Sequence, residues 1–421
     1  SQVLMMLPEI ALTTQIVVRL KKVFGNKIGI YHSKFSDNER VEVWQGVADG
    51  RFSFVIGVRS SIFLPFDNLG LIIVDEEHET SYKQHDPAPR YHARDVAMML
   101  GNLHGGKVLL GSATPSVETY YHAKRGKYGL VELLERYGGA QLPEIQLIDT
   151  RIEQKKNKMK GDFAKDLLAE LQARLDKKEQ IILFQNRRGY APYLTCLQCG
   201  WIPECSDCSV SLTYHMYRNE LRCHYCGNKE STPKVCVACG STNLKTVGLG
   251  TEQIEGELKT HLPTAKIQRM DLDTTRKKYG YQRIITDFEN GDIDILVGTQ
   301  MVTKGLDFDN VSLVGVFDVD RLMYFPDFRA HERTFQLITQ VSGRAGRREH
   351  KGKVLIQTRN AEQPLLHRIV QYDYQGLFQH EISEREHYGY PPFTRLIRLT
   401  IRSKEKPLRD SAAEELIMKL K

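Results

Sequence analysis

LGLIIVDEEH (residues 69–78) runs a block of branched apolar residues straight into three carboxylates and a histidine. An unbroken apolar run of this length is the pattern of a strand buried on both faces, as in a parallel sheet covered by helices. In such a sheet the ligand crevice lies beyond the carboxyl ends of the strands, which is where Asp75, Glu76, Glu77 and His78 fall. There one carboxylate can hold Mg2+, usually through water, while its neighbour orients the water that attacks a γ-phosphate. A solvated acidic turn explains a lone Asp-Glu pair equally well, so the reading depends on the rest of the chain.

The same pattern repeats outward. FSFVIGV (52–58), KVLLGSA (107–113), QIILFQN (180–186), DILVGTQ (294–300), VSLVGVFDV (311–319) and KVLIQTR (353–359) read as further buried strands. Amphipathic stretches such as DFAKDLLAELQARLDKK (162–178) lie between them, the alternation of an α/β fold. TRIEQKKNKMKG (150–161) is rich in Lys and poor in apolar residues, and reads as a linker between two α/β units. Past about residue 365 the pattern changes to YGYPPFTRLIRLTIRS (388–403), where Pro391 and Pro392 break the chain before an expected new strand.

Composition sets broad limits. The 421 residues suffice for two or three domains. Hydrophobic residues at 41% and charged residues at 26% are ordinary for a globular chain. A net charge of +7 permits a polyanionic partner without demanding one. No apolar run approaches membrane-spanning length. The opening SQVLMMLPEI has no starting Met and no basic region, so it is expected to be the interior of a longer chain rather than a targeting peptide. KEKPLRDSAAEELIMKLK (404–421) likewise stops on a helical pattern without a closing signal.

All eight cysteines lie in four Cys-x-x-Cys pairs: Cys196/Cys199, Cys205/Cys208, Cys223/Cys226 and Cys236/Cys239. Four such turns supply eight thiolates, enough for two closed tetrahedral Zn2+ sites. A disulfide framework fits poorly inside a long chain without a secretory signal, and a redox pair explains one motif but not four. Three pairings are possible. Fourteen residues separate Cys208 from Cys223, close to a zinc-ribbon spacing, whereas only GWIPE separates Cys199 from Cys205. The spacing favours a nested arrangement, with Cys205, Cys208, Cys223 and Cys226 around one ion and Cys196, Cys199, Cys236 and Cys239 around the other. His215 and His224 are spare ligands, read as bystanders.

Two further stretches match the acidic strand end. Gly111, Ser112, Ala113 and Thr114 close another strand, where small hydroxylated residues can link a phosphate site to a second site. QVSGRAGR (340–347) sets Arg344 and Arg347 three residues apart, on one face of a helix if the helix continues. Two such guanidiniums can reach across a cleft and stabilise charge on a transferring phosphoryl group. Taken singly, each arginine is as well explained by surface solvation.

Together these segments resemble superfamily-2 helicases, and more closely the family of bacterial primosomal replication-restart (PriA-type) helicases, over nearly the whole chain. MLPEIALTTQ (6–15) resembles segment Ia, and HSKFSDNER (32–40) the stretch after it. The run from Val55 to Gln84 is similar to motif II with its flanks, GSATPS (111–116) to motif III, and ILFQNRRGY (182–190) to motif IV. GLGTE (248–252), VGTQMVTKGLDF (297–308) and QVSGRAGR resemble motifs Va, V and VI, and YPPF (390–393) the start of the C-terminal domain. The eight-cysteine insertion is the most specific mark.

The resemblance implies two RecA-like parallel-sheet lobes, a zinc-binding insertion in the second, and the start of a C-terminal α+β domain. The implied limits are lobe 1 at 1–149, a linker and the start of lobe 2 at 150–195, the insertion at 196–240, the rest of lobe 2 at 241–364, and the C-terminal domain from 365. Carried over residue by residue, Asp75 would hold Mg2+ and Glu76 would activate water. His78, with Ser112 and Thr114, would couple nucleotide to DNA. Gln340, Gly305 and Asp307 would touch ATP, and Arg344 and Arg347 would complete the site from the second lobe. Thr299 and Arg59 would contact the DNA backbone. The loop bearing Tyr82, Lys83, Gln84, His85, Tyr91 and His92 interleaves aromatic and basic groups, which suits stacking on single-stranded DNA.

Two departures stand out. Gly101 to Val108 is the nearest approach to a Walker A loop, but it lacks the hydroxyl and leads into a strand, so the phosphate-binding loop is expected upstream of residue 1. The chain as given is then expected to turn over ATP poorly. Val58 stands where the family often has a hydroxylated residue, which puts one DNA contact in doubt. The resemblance implies a cytoplasmic 3′→5′ DNA helicase of replication restart that meets single-stranded and forked DNA, primosome proteins and single-strand-binding protein, and no membrane. The other readings are a non-catalytic zinc platform for DNA or protein, and an RNA-directed ATPase of the same superfamily.

Overall fold

The computed structural model describes residues 1–8, 14–32, 35–135, 141–185, 193–208, 210–215, 219–223, 225–247, 254–270, 280–299, 302, 308, 310–346, 352–399, 401, 403 and 405–420. Among them the N-terminal unit is built from β1 (Gln2–Met6), α1 (Thr14–Phe24), β2 (Ile28–Tyr31), α2 (Asp37–Ala48), β3 (Phe54–Gly57), β4 (Leu69–Asp75), α3 (Ala93–Leu103), β5 (Lys107–Gly111) and α4 (Val117–Lys124). The strands form one parallel sheet in the order β2-β3-β1-β4-β5. Central β1 and β4 bury Leu4, Met6, Ile72 and Val74 almost completely, which is why these runs read as apolar without alternation. A capping box, Ser36 with Glu39, starts α2. Gly106 needs to be small: a Cβ there would sit 2.5 Å from the Leu69 carbonyl oxygen. The glycine-rich stretch before β5 thus serves close strand packing, in keeping with its rejection as a phosphate loop.

The second unit opens with β6 (Glu144–Asp149), α5 (Thr150–Lys155), β7 (Met159–Lys160), β8 (Phe163–Ala164), α6 (Lys165–Asp176) and β9 (Gln180–Gln185). A small antiparallel module follows, with β10 (Tyr193–Cys196), β11 (Thr213–His215), β12 (Glu220–Arg222), β13 (Lys229–Ser231) and β14 (Leu244–Val247). The chain then returns through α7 (Ile254–His261), β15 (Ile267–Met270), α8 (Gly280–Glu289), β16 (Ile295–Gly298), β17 (Val311–Phe317), α9 (Asp320–Met323), α10 (Ala330–Ser342) and β18 (Lys353–Thr358). Six parallel strands order as β15-β16-β9-β17-β18-β6. Along β9, Ile181 and Leu183 enter the core under α6, while Ile182 and Phe184 enter the core under α8 and α10. This is the side-to-side alternation of a strand covered on both faces.

Two expected boundaries move. β6 pairs with β18 along its whole length, so residues 144–149 belong to the second sheet and not to lobe 1. As an edge strand it buries chiefly Ile145, and its sequence EIQLID therefore lacks the apolar density that marks the central strands. The Lys-rich stretch after it is not a linker. The Asp149 carboxylate accepts the amides of Arg151 and Ile152 and starts α5, after which β7 and β8 form a short antiparallel pair.

Beyond the second sheet, α11 (Pro364–Val370) and α12 (Tyr374–His387) pack against α10, and α13 (Lys406–Leu420) follows. The strand expected after Pro391 and Pro392 does not form among the described residues, where Leu396, Ile397 and Leu399 are exposed. An apolar run becomes a strand only where a neighbour supplies the ladder, and none of the described strands does so here.

Candidate functional site

β4 delivers Asp75 to the carboxyl edge of the first sheet, and Glu76 follows at a φ of 48°. A left-handed backbone is uncommon outside glycine, and it turns the chain sharply at the end of the strand. The Glu76 amide donates to Asp75 Oδ1 at 3.0 Å. Burial raises the pKa of both carboxyl groups above the ordinary carboxylate range, against the pull of nearby His78. His78 Nδ1 lies 2.7 Å from Ser112 Oγ and 3.5 Å from Glu76 Oε2, and the Thr114 amide donates to Ser112 Oγ at 3.0 Å. Glu76, His78, Ser112 and Thr114 are thereby joined in one chain of contacts across β4 and β5.

The third carboxylate has a different environment. Glu77 is 1% exposed and accepts from the Ser116 amide at 2.6 Å, Thr119 Oγ1 at 3.0 Å and Arg94 Nη1 at 2.9 Å. It ties the start of α4 and the side of α3 to the acidic turn. Sequence reasoning missed Arg94, for which nothing but its charge gave a signal.

Helix α10 faces this edge from the second unit. Glu332 Oε1 accepts the Val117 amide at 2.9 Å. Gln336 Nε2 donates to the carbonyls of Thr114 and Pro115, both at 3.4 Å. The Gln340 side chain hydrogen-bonds Glu76 and lowers its pKa against the effect of burial. Glu332, Gln336 and Gln340 are spaced by four, so they form one ridge of the helix. Arg329 grips Glu118 beside them, at 3.0 and 2.5 Å. Arg385 of α12 is 1% exposed and meets Glu332 at 2.6 Å, Glu118 at 3.4 Å and Glu381 at 3.4 Å. Burial pushes the Glu118 carboxyl up, but Arg329 and Arg385 outweigh it and hold the pKa down to about 2.

The helix expected to carry both arginines ends at Ser342, because Gly343 caps it, so Arg344 stands beyond the last turn. Arg344 lies within electrostatic reach of Tyr281. Thr299 follows β16, partly exposed, with its carbonyl accepting the Val302 amide at 3.0 Å. Gly305, Asp307 and Arg347 lie outside the described residues, as does most of motifs IV, Va and V.

The aromatic loop departs from expectation. Tyr82 is 1% exposed, and its hydroxyl contacts the carbonyl oxygens of Met6 at 3.0 Å and Asp75 at 2.7 Å. It joins the ends of β1 and β4 and has no face to offer a base. Arg59 donates to the carbonyls of Ser81 and Lys83 at 3.2 and 3.0 Å, so its guanidinium braces the loop rather than standing free for a phosphate. Lys83 donates to the Arg90 carbonyl, and Tyr91 packs edge-on against Phe63. His92 is desolvated and held neutral, its pKa lowered to about 4. Gln84 also turns inward on Pro87 and Pro89, while His85 is exposed. Val58 is buried in the core, with no hydroxyl to offer DNA.

The cysteines gather as the nested arrangement has them. Cys196, Cys199, Cys236 and Cys239 form one group and Cys205, Cys208, Cys223 and Cys226 the other, all sulfurs of a group lying within 4.8 Å of one another. Cys196–Cys239, Cys199–Cys236 and Cys205–Cys226 approach to 3.6 Å. Sulfurs bound to one ion at about 2.3 Å in a tetrahedron are about 3.8 Å apart, so each group fits a Zn2+. The amides of Tyr225 and Asn228 donate to Cys223 Sγ and Cys226 Sγ at 3.4 Å, the outer contacts that a thiolate ligand needs. His215 stands outside both groups, and His224 lies outside the described residues. The module is anchored at both knuckles. Arg151 Nη1 donates to the Cys199 carbonyl at 2.5 Å and Tyr390 Oη to the Cys208 carbonyl at 2.8 Å, with Tyr390 stacked on Phe328.

Comparison with known proteins identifies relatives of the chain. The DEAD/DEAH box helicase family model matches residues 1–122, and the PriA DNA helicase Cys-rich region model matches residues 205–230. The replication restart protein PriA of Bacillus subtilis is 43% identical over 421 residues, which is 100% of this chain and 52% of the relative. PriA of Haemophilus influenzae is 44% identical over 394 residues, 94% of this chain and 53% of the relative. The chain thus spans about half the length of these curated relatives. Among solved structures, RecG bound to a three-way DNA junction superposes with a TM-score of 0.50 at 15% identity, covering 90% of this chain and 40% of that one. Mycobacterium smegmatis helicase Lhr, bound to ssDNA and AMP-PNP, gives 0.50 at 15% identity, covering 89% and 42%. At that identity the superpositions speak for the fold alone.

Proposed function

Because the chain belongs to the PriA family of superfamily-2 replication restart helicases, of whose length it spans about half, we propose that it carries the greater part of an ATP-driven DNA motor. In this reading Asp75 would hold Mg2+ and Glu76 would orient the water that attacks the γ-phosphate. Their burial fits the role, since a half-desolvated carboxylate is a stronger acceptor for a bound water than a solvated one. Gln340, Gly305 and Asp307 contact the nucleotide, and Arg344 and Arg347 stabilise charge on the transferring phosphoryl group. The His78–Ser112 contact passes the state of the acidic turn to Thr114, whose carbonyl meets Gln336 of the facing lobe. When bound, Mg2+ would supply charge neutralisation on the phosphates.

The observation that carries the reading is the bridge from Glu76 to Gln340, a catalytic-type carboxylate of one lobe hydrogen-bonded by the facing helix of the other. Single-stranded and forked DNA is the proposed track, with 3′→5′ polarity, in the cytoplasm, alongside primosome proteins and single-strand-binding protein. Thr299 is retained as a DNA-backbone contact, whereas Tyr82 and Arg59 are not. Two Zn2+ ions hold the module closed. Val235 and Val237 stand exposed around buried Cys236, which favours an added role for the module as a docking platform.

Glu76→Gln in the full-length protein tests the motor assignment. Unwinding and DNA-stimulated ATP turnover should fall by about a hundredfold or more, with zinc content and DNA affinity unchanged. Unwinding within a few-fold of the parent would refute it.

A further inference from the structure

A third group of potential ligands is made of residues other than the cysteines and the carboxylates of the acidic turn. His331 sits in the first turn of α10, and His380 and Glu381 are neighbours on α12. One ligand atom from each lies within 4.8 Å of the other two, and His331 Nδ1 is 3.8 Å from Glu381 Oε1. Ligands bound at about 2.0–2.2 Å to one tetrahedral ion are roughly 3.4 Å apart, so closing this group takes side-chain rotation and no helix movement. Glu381 is buried, His331 is partly exposed and His380 faces solvent, which leaves one side open.

We propose that His331, His380 and Glu381 form a binding site for a borderline divalent cation of the Zn2+ class, completed by water. Two imidazoles and one carboxylate with an open fourth position suit Zn2+ or Co2+ and disfavour Mg2+ or Ca2+, which demand oxygen ligands. The second carboxylate oxygen of Glu381 contacts Arg385 Nη2 at 3.4 Å, an outer contact that fixes how the group is presented. Arg368 lies within electrostatic range of both imidazoles and opposes a bound cation. Occupancy would pin α12 to the helix whose Glu332, Gln336 and Gln340 meet the first lobe. The site would be a metal-dependent clamp between α12 and α10, with a ligand set distinct from those of the cysteine centres.

The test is a Co2+ titration of the 421-residue chain with both cysteine centres filled with Zn2+, read by calorimetry and by visible absorption. One further Co2+ per chain should bind, without the thiolate charge-transfer bands that Co2+ in a cysteine site would add. His380→Ala, at an exposed position, should weaken that binding by more than about tenfold while keeping both zinc ions. Arg368→Gln should tighten it. No uptake beyond the two zinc ions, or equal affinity in the His380→Ala chain, would overturn the proposal.

Discussion

Asp75, Glu76 and Tyr82 lie within eight residues of one another, yet only the carboxylates were legible. Where an apolar run stops, its last polar residues lie at the sheet edge, and for Asp75 and Glu76 that is the edge α10 of the second unit faces. Tyr82 and Arg59 share that neighbourhood, but residue type alone does not say which way a side chain turns. Tyr82 turned inward because the ends of β1 and β4 leave carbonyls that its hydroxyl satisfies. Tyr82→Phe should therefore cost about 1–2 kcal/mol in urea unfolding and leave affinity for single-stranded DNA unchanged. A large loss of DNA affinity at unaltered stability would restore Tyr82 to the binding surface.

At the scale of elements, central strands were readable and edges were not. β9 and β17 are buried on both faces and carry their own signature, whereas β6 buries chiefly Ile145 and gives no strand signal, so its residues read as part of the first lobe. The cysteine spacing favoured the nested grouping over the two other pairings, and the sulfurs gather in that way. Cys236→Ser should release about one Zn2+ per chain and leave the other ion in place, measured by a chelating dye. Loss of both ions together would contradict two separate centres.

The spacing of four from Glu332 to Gln336 to Gln340 is present in the sequence, but among the other polar residues of α10, such as His331, Arg333 and Thr339, nothing singles it out. No partner for it could be named without the fold. Arg385 belongs to the same contact, with carboxylates from α4, α10 and α12 around one buried guanidinium. Arg385→Ala takes the cation from buried Glu332 and Glu381 while Glu118 keeps Arg329, and should cost about 3–5 kcal/mol in denaturant unfolding. A change below about 1 kcal/mol would mean that the network is solvated and contributes little.

For the whole molecule, the two units meet along a mixed seam, in which Tyr120 packs edge-on against Tyr374 and Phe378 beside a set of polar contacts. Glu332–Val117, Gln336–Thr114, Arg329–Glu118 and Tyr374–Pro115 are all hydrogen bonds or ion pairs across it. The zinc module sits outside the seam but touches it, through Tyr390 and Phe328 beside Arg329 and Arg385.

The claim on which the account rests is that Glu76 of one lobe and residue 340 of the other share one gap. Gln340→Lys would set an ammonium against the Glu76 carboxylate, and a zero-length carbodiimide would then join them, read by mass spectrometry of the digested chain. The account predicts a linked peptide pair containing residues 76 and 340. Efficient links confined within each lobe, with that pair absent, would contradict it.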